Sequence, residues 1–212
     1  MLTLYYSPGA CSLAPHILLE EIGHPFALKR IMLAEGQQHT AEFRAINRHG
    51  RVPVLQLGDG TLLTEQPAIS LFLASAYPEA GLLPVSPLSL ARTLEWLNWL
   101  SGTVQGSGFV SVFRPARFSD DGDAQASISA FGRKQLEEYL SEIEERLSGM
   151  EYAVDNRYGA VDPFLLTLYR WGMRIKIDMP ALYPLWTAHS QRLLERSAIQ
   201  RALIAEGISL WS

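Results

Sequence analysis

The fold is decided by the stretch YYSPGACSLAPHILLEE at residues 5–21, where a short apolar segment passes through a tight turn into a helical pattern. Leu2–Tyr6 is apolar and aromatic and ends at a Ser-Pro-Gly turn, which predicts a buried strand. Ser12–Ile22 has apolar residues at helical spacing and a glycine stop signal after it. Because Pro15 suits only the first turn of a helix, the helix cap is predicted near Ser12, with Cys11 just ahead of it.

Cys11 is the only cysteine of the chain, which excludes an internal disulfide and a thiolate zinc cluster. A thiol at a helix N-terminus has its thiolate stabilised by the helix dipole and by unpaired N–H groups, so we expect its pKa to fall. The alternative is a small buried residue that behaves as a hydrophobe. The residues alone leave both interpretations open.

The next segments continue the alternation of strands and helices. A Gly58-Asp59-Gly60 turn between two apolar runs is a strong hairpin signal. The predicted elements are a strand at Phe26–Met32, a helix at Thr40–Ile46, hairpin strands at Val54–Leu57 and Thr61–Thr64, and a helix at Pro67–Ala76. The order β-α-β-α-β-β-α predicts one parallel strand pair with a crossover helix and one antiparallel hairpin.

The second part of the chain has only helical patterns. It follows a Pro- and Gly-rich stretch, YPEAGLLPVSP at 77–87, which we interpret as a linker. We expect an α/β domain at 1–77, a linker at 78–87 and an all-α domain at 88–212. The predicted helices are Leu88–Thr103, Ala124–Leu147, Pro163–Ile177 and Leu182–Arg196.

The charge balance argues against two classes of partner. The formal net charge is −4, a poor electrostatic match for nucleic acid or for an anionic membrane. The first residues lack the pattern of a signal peptide, and there is no long uncharged apolar run. We therefore expect a cytoplasmic protein with neither a nucleic acid nor a membrane as partner.

Three motifs of the first part coincide: YYSPGACSLAPHI, GRVPVL at 50–55 and DGTLLTEQPAISLFLA at 59–74. With ARTLEWLNWL at 91–100, FRP at 113–115 and LYRW at 168–171, they resemble the cytosolic glutathione transferase superfamily, most closely its bacterial cysteine-type (beta) class. The resemblance implies an α+β N-terminal thioredoxin-like domain (βαβ-α-ββα), followed by an all-α helical domain. It also implies a homodimer that binds glutathione as co-substrate without a metal.

The resemblance implies the main glutathione contacts. The Val52–Pro53 peptide would be cis, with the backbone of Val52 pairing with the cysteinyl part of glutathione; the residues alone leave cis and trans open. Pro67 suits a helix start, so the N–H groups near Gln66 can hold the γ-glutamyl carboxylate, while Glu65 accepts from the ammonium. The alternative is an ordinary charged turn before a helix.

Two further contacts have weaker support. The family often uses a cation after the second strand for the glycyl carboxylate, but this chain has no Lys or Arg between Arg30 and Arg44, so Gln38 is the candidate donor, with His39 beside it. The resemblance also implies that Asn98 lines the glutathione site. A solvated loop and a packing asparagine are the alternatives.

In the cysteine-type class, the residue matching Cys11 faces the sulfur of glutathione and can form a mixed disulfide with it. The family's histidine in the helical domain is missing, and Gln105 stands at the matching position. Glutamine can donate a hydrogen bond to a thiolate but cannot accept a proton at neutral pH. Cys11 and Gln105 are therefore the catalytic candidates, and weak activity stays open. Unranked substitutes for the histidine are Tyr5, Tyr6, Ser12 and Ser107.

We expect a glutathione-dependent transferase with a role in detoxification, which activates the glutathione thiol for attack on a small hydrophobic electrophile. The electrophile pocket is predicted between the domains, at Phe109, Val112, Phe113 and Trp171. The alternatives are a thiol/disulfide reductase that uses Cys11, a non-catalytic binder of glutathione or hydrophobic ligands, and an interaction scaffold.

A departure from the family occurs before the central helix, where Gly159 stands in place of the usual Ser/Thr cap. We predict that Asp162 caps this helix and that Pro163 is its first residue.

Overall fold

The computed structural model describes residues 1–211, and its first part is built on one four-stranded sheet. The strands lie in the order β2-β1-β3-β4, with β1 parallel to β2 and antiparallel to β3, and β3 antiparallel to β4. Their bounds are β1 Leu2–Tyr6, β2 Phe26–Arg30, β3 Val54–Gln56 and β4 Leu62–Thr64. The predicted parallel pair, hairpin and fold class are confirmed.

Helices make up the rest of the fold, three of them with the sheet and the others in the second part. They are α1 (Leu13–Ile22), α2 (Ala41–Ile46), α3 (Gln66–Ala76), α4 (Pro87–Trp99), a π-helical segment (Leu100–Phe109), α5 (Val110–Phe113), α6 (Gly122–Arg146), α7 (Asp162–Arg174), α8 (Met179–Leu182), α9 (Pro184–Leu194) and α10 (Ser197–Glu206).

The sequence analysis missed four helical elements: the π-helical segment, α5, α8 and α10. The π-helical segment and α5 were not predicted because glycines at 102, 106 and 108 interrupt the apolar period there. The predicted helix at 182–196 corresponds to α9, which begins at Pro184, while the short helix α8 before it was not predicted. The helix α10 was also missed.

The two faces of the sheet follow the period of two that a strand imposes. Leu4 and Tyr6 face α1 and α3, while Tyr5 points to the other face and packs with Phe43 of α2. The loop after β1 therefore emerges between the sheet and the helical part, where α1 begins.

Helix α1 lies at the centre of the fold, and its first seven residues are all buried. Leu13 and Ile17 belong to the core of the helical part, whereas Leu18 and Leu19 belong to the core beneath the sheet. One helix is thus shared by both cores, which holds the loop before it in a defined place.

The prediction that Asp162 caps the central helix is wrong. The residue before it, Val161, already has helical backbone angles (φ −78°, ψ −39°), and Asp162 is the first residue of α7. Its carboxylate reaches back to accept the N–H groups of Gly159 at 2.7 Å and Ala153 at 3.0 Å. Pro163 costs no hydrogen bond there, because the first N–H groups of a helix have no intrahelical acceptor.

Within residues 1–211, no helix combines the length and the apolar character needed to span a bilayer.

Candidate active site

A cavity of about 880 Å³ opens between the sheet and the helical part. From the sheet side it is lined by residues 7–11, residues 50–53, Leu33, Ala34, Asn47, Glu65 and Gln66. From the helical side it is lined by Ser101, Gly102, Gln105, Gly106, Val110, Phe113, Arg114, Arg117, Phe118, Trp171 and Arg174.

Cys11 lies on the wall of this cavity and is partly buried. Its thiol donates a hydrogen bond to the carbonyl oxygen of Val52, with Sγ and O 3.5 Å apart. Burial raises the pKa of the Cys11 thiol to about 11, and the side chain of Gln105 opposes this effect only in part. The expectation of a lowered pKa is therefore wrong: loss of solvent outweighs the helix N-terminus, and Cys11 is a protonated thiol at neutral pH.

Gln105 reaches the cavity from the π-helical segment, a kind of helix that often marks functional sites. Its Oε1 is buried and has no hydrogen-bond partner among residues 1–211, which leaves it available to a ligand. The glycines around it permit close packing: a Cβ on Gly108 would stand 2.9 Å from Cδ1 of Leu136 in α6.

The predicted glutathione contacts on the sheet side meet at the cavity. The Val52–Pro53 peptide is cis, and both residues line the wall. Glu65 precedes α3 with φ 68°, a costly angle for a residue other than glycine, and its side chain stands at the cavity. Gln66 is the first residue of α3; its Nε2 donates inward to Ser70 Oγ at 3.0 Å, so only its backbone can serve as donor there.

Several predicted residues lie elsewhere in the described chain. Gln38 is buried and Asn98 is exposed on α4, and neither lines the cavity. In the predicted electrophile pocket, Phe113 and Trp171 do line the cavity. Phe109 is fully buried behind them, with ring contacts to both, and Val112 packs against the core of the helical part.

The unranked substitutes for the histidine are also absent from the cavity wall. Tyr5 donates to Gln56 Oε1 at 3.1 Å, Ser12 Oγ donates to the carbonyl of Ser7 at 3.1 Å, Tyr6 is buried in the core and Ser107 is exposed.

The sequence analysis did not predict that the cavity wall is basic. Four arginines (Arg51, Arg114, Arg117 and Arg174) and one glutamate (Glu65) line it, although the whole chain carries a net charge of −4. The pKa of Arg117 is lowered, first by burial and then by the nearby charges of Arg114 and Arg51. The stretch FRPAR at 113–117 could have indicated these basic residues, but the motif used for the family resemblance ended at Pro115 and left Arg117 out.

A second missed feature holds the loop before Cys11. The N–H of Gly9 donates to Glu206 Oε2 at 2.7 Å, and Trp171 Nε1 donates to the carbonyl of Gly9 at 2.8 Å. Glu206 Oε1 lies 2.8 Å from Nδ1 of the buried His16. The loop on the sheet side is therefore tied to α7 and α10, which lie more than 160 residues away in the sequence.

No group of three or more His, Cys, Asp or Glu side chains that could hold a metal ion occurs in the described residues. The prediction of a metal-free site stays a prediction.

A thioredoxin-like half joined to a helical half, with a polar cavity at their junction, defines the structural class. Family models match both parts: the glutathione S-transferase N-terminal domain at residues 9–76 and its C-terminal domain at residues 109–197. The glutathione S-transferase GstA of Escherichia coli O157:H7 is 38% identical over 97% of this chain and 98% of that protein. The chain belongs to the glutathione S-transferase family.

Solved structures agree in fold. A glutathione transferase homologue from sulfitobacter with bound glutathione has a TM-score of 0.92 at 28% identity, covering 99% of both chains. The bacterial beta class enzyme of Sphingomonas chungbukensis has a TM-score of 0.83 at 33% identity, covering 98% of this chain and 100% of that one. The resemblance to the beta class that the motifs indicated is confirmed.

Proposed function

We propose that the chain binds glutathione in the cavity and activates its thiol for attack on a small hydrophobic electrophile. The observation that carries the proposal is that one cavity of about 880 Å³ brings Val52–Pro53, the N-terminal end of α3 and Cys11 together. The sulfitobacter homologue of the same fold holds glutathione, which supports the same ligand here.

The peptide part of glutathione fits the sheet side. The backbone of Val52 would pair with the cysteinyl part as an added strand does. The N-terminal end of α3 would hold the γ-glutamyl carboxylate, and Glu65 its ammonium group. Arg51, rather than Gln38, is the donor that lines the cavity next to Val52 and suits the glycyl carboxylate.

The sulfur of glutathione would lie between Cys11 and Gln105. A thiol whose pKa is about 11 is protonated at neutral pH, so Cys11 can turn its one S–H from the carbonyl of Val52 to the glutathione thiolate, and the Gln105 amide can donate as well. Donors to the charged form lower the pKa of the glutathione thiol, and its proton leaves to water because neither residue is a base. A protonated Cys11 is a poor nucleophile, which favours transfer over disulfide reduction.

The test compares Cys11→Ala with Cys11→Ser. Since a hydrogen bond to a charged group contributes ~1.5–3 kcal/mol, we expect the alanine variant to lose at least about tenfold in kcat/KM for conjugation of an aromatic halide. The serine variant retains a donor and should keep most of the rate. Glutathione affinity, measured by quenching of the intrinsic tryptophan fluorescence, should change little in either variant.

The alternatives give other outcomes. A reductase would reduce a glutathione mixed disulfide faster than it conjugates, and both variants would lose that activity. A non-catalytic binder would bind glutathione without either activity. If the alanine variant matched the wild type in both activities and in affinity, the role of Cys11 would be wrong.

We further propose the homodimer that the resemblance implies, for which sedimentation should give twice the chain mass of 23.6 kDa. The domain bounds, the cytoplasmic location and the detoxification role stay predictions.

A further inference from the structure

The segment FRPARF at 113–118 places two basic side chains between two aromatic ones at the mouth of the cavity. Phe113 and Phe118 both line the cavity and are 39% and 53% exposed. Exposed aromatic rings that border a cavity indicate a binding surface for a flat apolar group. Arg114 and Arg117 stand between the two rings in the sequence and line the same cavity.

Among the described residues, the arginines of this mouth form no ion pair, although Glu65 lines the same cavity. Among residues 1–211, the ion pairs of arginine involve Arg92, Arg146, Arg196 and Arg201, and none involves a cavity arginine. Burial is the main cause of the lowered pKa of Arg117, and the charges of Arg114 and Arg51 are close enough to lower that pKa in addition. Like charges held together at a partly desolvated wall are unfavourable until an anion joins them.

Glutathione does not account for all of these charges. It has two carboxylates, and the sheet side offers a place for each, the N-terminal end of α3 and Arg51. Arg114 and Arg117 come from the helical side, as does Arg174, whose guanidinium carbon lies 6.0 Å from the centre of the Phe113 ring. The unpaired basic groups thus lie on the side of the electrophile.

We propose that the electrophile is an aromatic acid: a flat reactive ring that carries a carboxylate or sulfonate, with the ring against Phe113 and Phe118 and the anion on Arg114 and Arg117. This inference rests on the proposed transferase function and narrows its substrate from a hydrophobic electrophile to an anionic one. Arginine suits the role because its planar guanidinium group can bind a carboxylate through two parallel hydrogen bonds.

The test reaction uses a chlorodinitrobenzoate and its methyl ester, which share the reactive ring and differ in charge. The glutathione sulfur attacks the ring carbon that bears chlorine, so that a C–S bond forms and the C–Cl bond breaks. Chloride leaves with the electron pair of that bond, and the thiol proton goes to solvent. Each rate is divided by the uncatalysed rate of the same compound with glutathione at the same pH.

We expect the wild type to prefer the acid over the ester by at least about tenfold in corrected kcat/KM, since hydrogen bonds between charged groups are among the strong ones. In the double variant Arg114→Gln, Arg117→Gln, kcat/KM for the acid should fall about tenfold, mainly through a higher KM, while kcat/KM for the ester should change little. Lys134→Gln removes an exposed charge of α6 outside the cavity and should leave the ratio unchanged.

A measurement on the wild type alone supports the variants. At saturating glutathione, raising the salt concentration should lower the preference for the acid, because partly exposed charges are screened, and should change the rate with the ester little. The salt experiment uses the wild type only, so it tests the inference even if the double variant does not fold.

Three results would overturn the inference. The wild type could show no preference for the acid. The double variant could lose the same factor in kcat/KM for the acid and for the ester, with a shifted pH dependence of the rate. That result would mean that the arginines activate the glutathione thiol. Alternatively, the double variant could bind glutathione more weakly and keep the same preference for the acid over the ester. By contrast, absence of glutathione binding and of conjugation with both compounds would mean that the proposed function itself has failed.

Discussion

Cys11 illustrates how two effects compete at one residue. A helix N-terminus stabilises an exposed charge by ~0.3–1 kcal/mol, whereas one pKa unit corresponds to ~1.4 kcal/mol. Burial raises the pKa of Cys11 from 9.0 to about 11, so the opposing hydrogen bonds of the Gln105 side chain and of the backbone at residue 11 are outweighed. The residue that looked like an activated nucleophile is a hydrogen-bond donor instead.

Alkylation of Cys11 by iodoacetamide tests this conclusion. At pH 7, a thiol of pKa about 11 has about a hundredfold less thiolate than one of pKa 9.0, so we expect slow alkylation whose rate rises with pH toward 11. Because the folded pKa is the higher one, the folded state favours the neutral thiol, and that stabilisation is present below pH 9 and is lost as the pH rises toward 11.

Since the chain has one cysteine, a single adduct mass reports the reaction, and Cys11→Ala should give none. The same protein unfolded in urea should react at the rate of an ordinary thiol. A midpoint of alkylation near neutral pH in the folded protein would contradict the raised pKa.

At the scale of elements, the loop before α1 is placed by helices that are distant in the sequence. Gly9 has φ 66°, and a Cβ on it would collide with Nη1 of Arg170 in α7. Its backbone N–H and C=O are both bonded to side chains of the helical part. A side chain at position 9 would therefore either displace the guanidinium of Arg170, whose Nε donates to the carbonyl of Ser209 at 2.7 Å, or push the loop and Cys11 away from α7.

Gly9→Ala and Gly23→Ala separate backbone conformation from this close contact. Gly23 has φ 73° with nothing within 4 Å of an added Cβ, so its substitution costs only the unfavourable angle, ~1 kcal/mol. Gly9→Ala should lower the free energy of unfolding by a further ~1–3 kcal/mol and should also weaken glutathione binding. Urea unfolding followed by circular dichroism measures the first effect, and fluorescence titration measures the second.

Equal losses of stability in the two glycine variants would mean that the loop yields without cost. Glutathione affinity should stay at the wild-type value in Gly23→Ala, because that residue ends α1 away from the cavity.

At the scale of the whole molecule, α1 couples the two parts because its side chains belong to both cores. Removing either core would expose a fully buried face of this helix. The ion pair of Arg196 Nε with Glu21 Oε1 at 2.6 Å adds a second link between α1 and the helical part. We therefore expect the domains that the sequence suggested to unfold together.

The positions of two residue types test this cooperativity. All five tryptophans lie in the helical part and the only cysteine lies in the sheet part, so fluorescence and thiol labelling follow separate halves. In a urea titration, we expect the two transitions to coincide. Labelling of Cys11 at lower urea than the tryptophan transition would show that the sheet part unfolds alone, and Cys11→Ala supplies the unlabelled control.

Much of the fold followed from local patterns. The turn after β1, the hairpin at 58–60 and Pro67 at the start of α3 each express short-range backbone preferences, which neighbouring residues encode. The π-helical segment did not follow, because its glycines matter only through their packing against α6. The cap at Asp162 was misplaced because its carboxylate bonds N–H groups up to nine residues earlier.

The sequence by itself determined the order of the elements in the sheet part, the family, and the presence of Val52–Pro53, Glu65 and Cys11 at one end of the sheet. Only the tertiary structure decided that Cys11 is a protonated thiol and that Arg51 meets Arg114 and Arg117. The reason is physical: desolvation and charge proximity depend on which distant segments surround a group, and no local pattern contains that information.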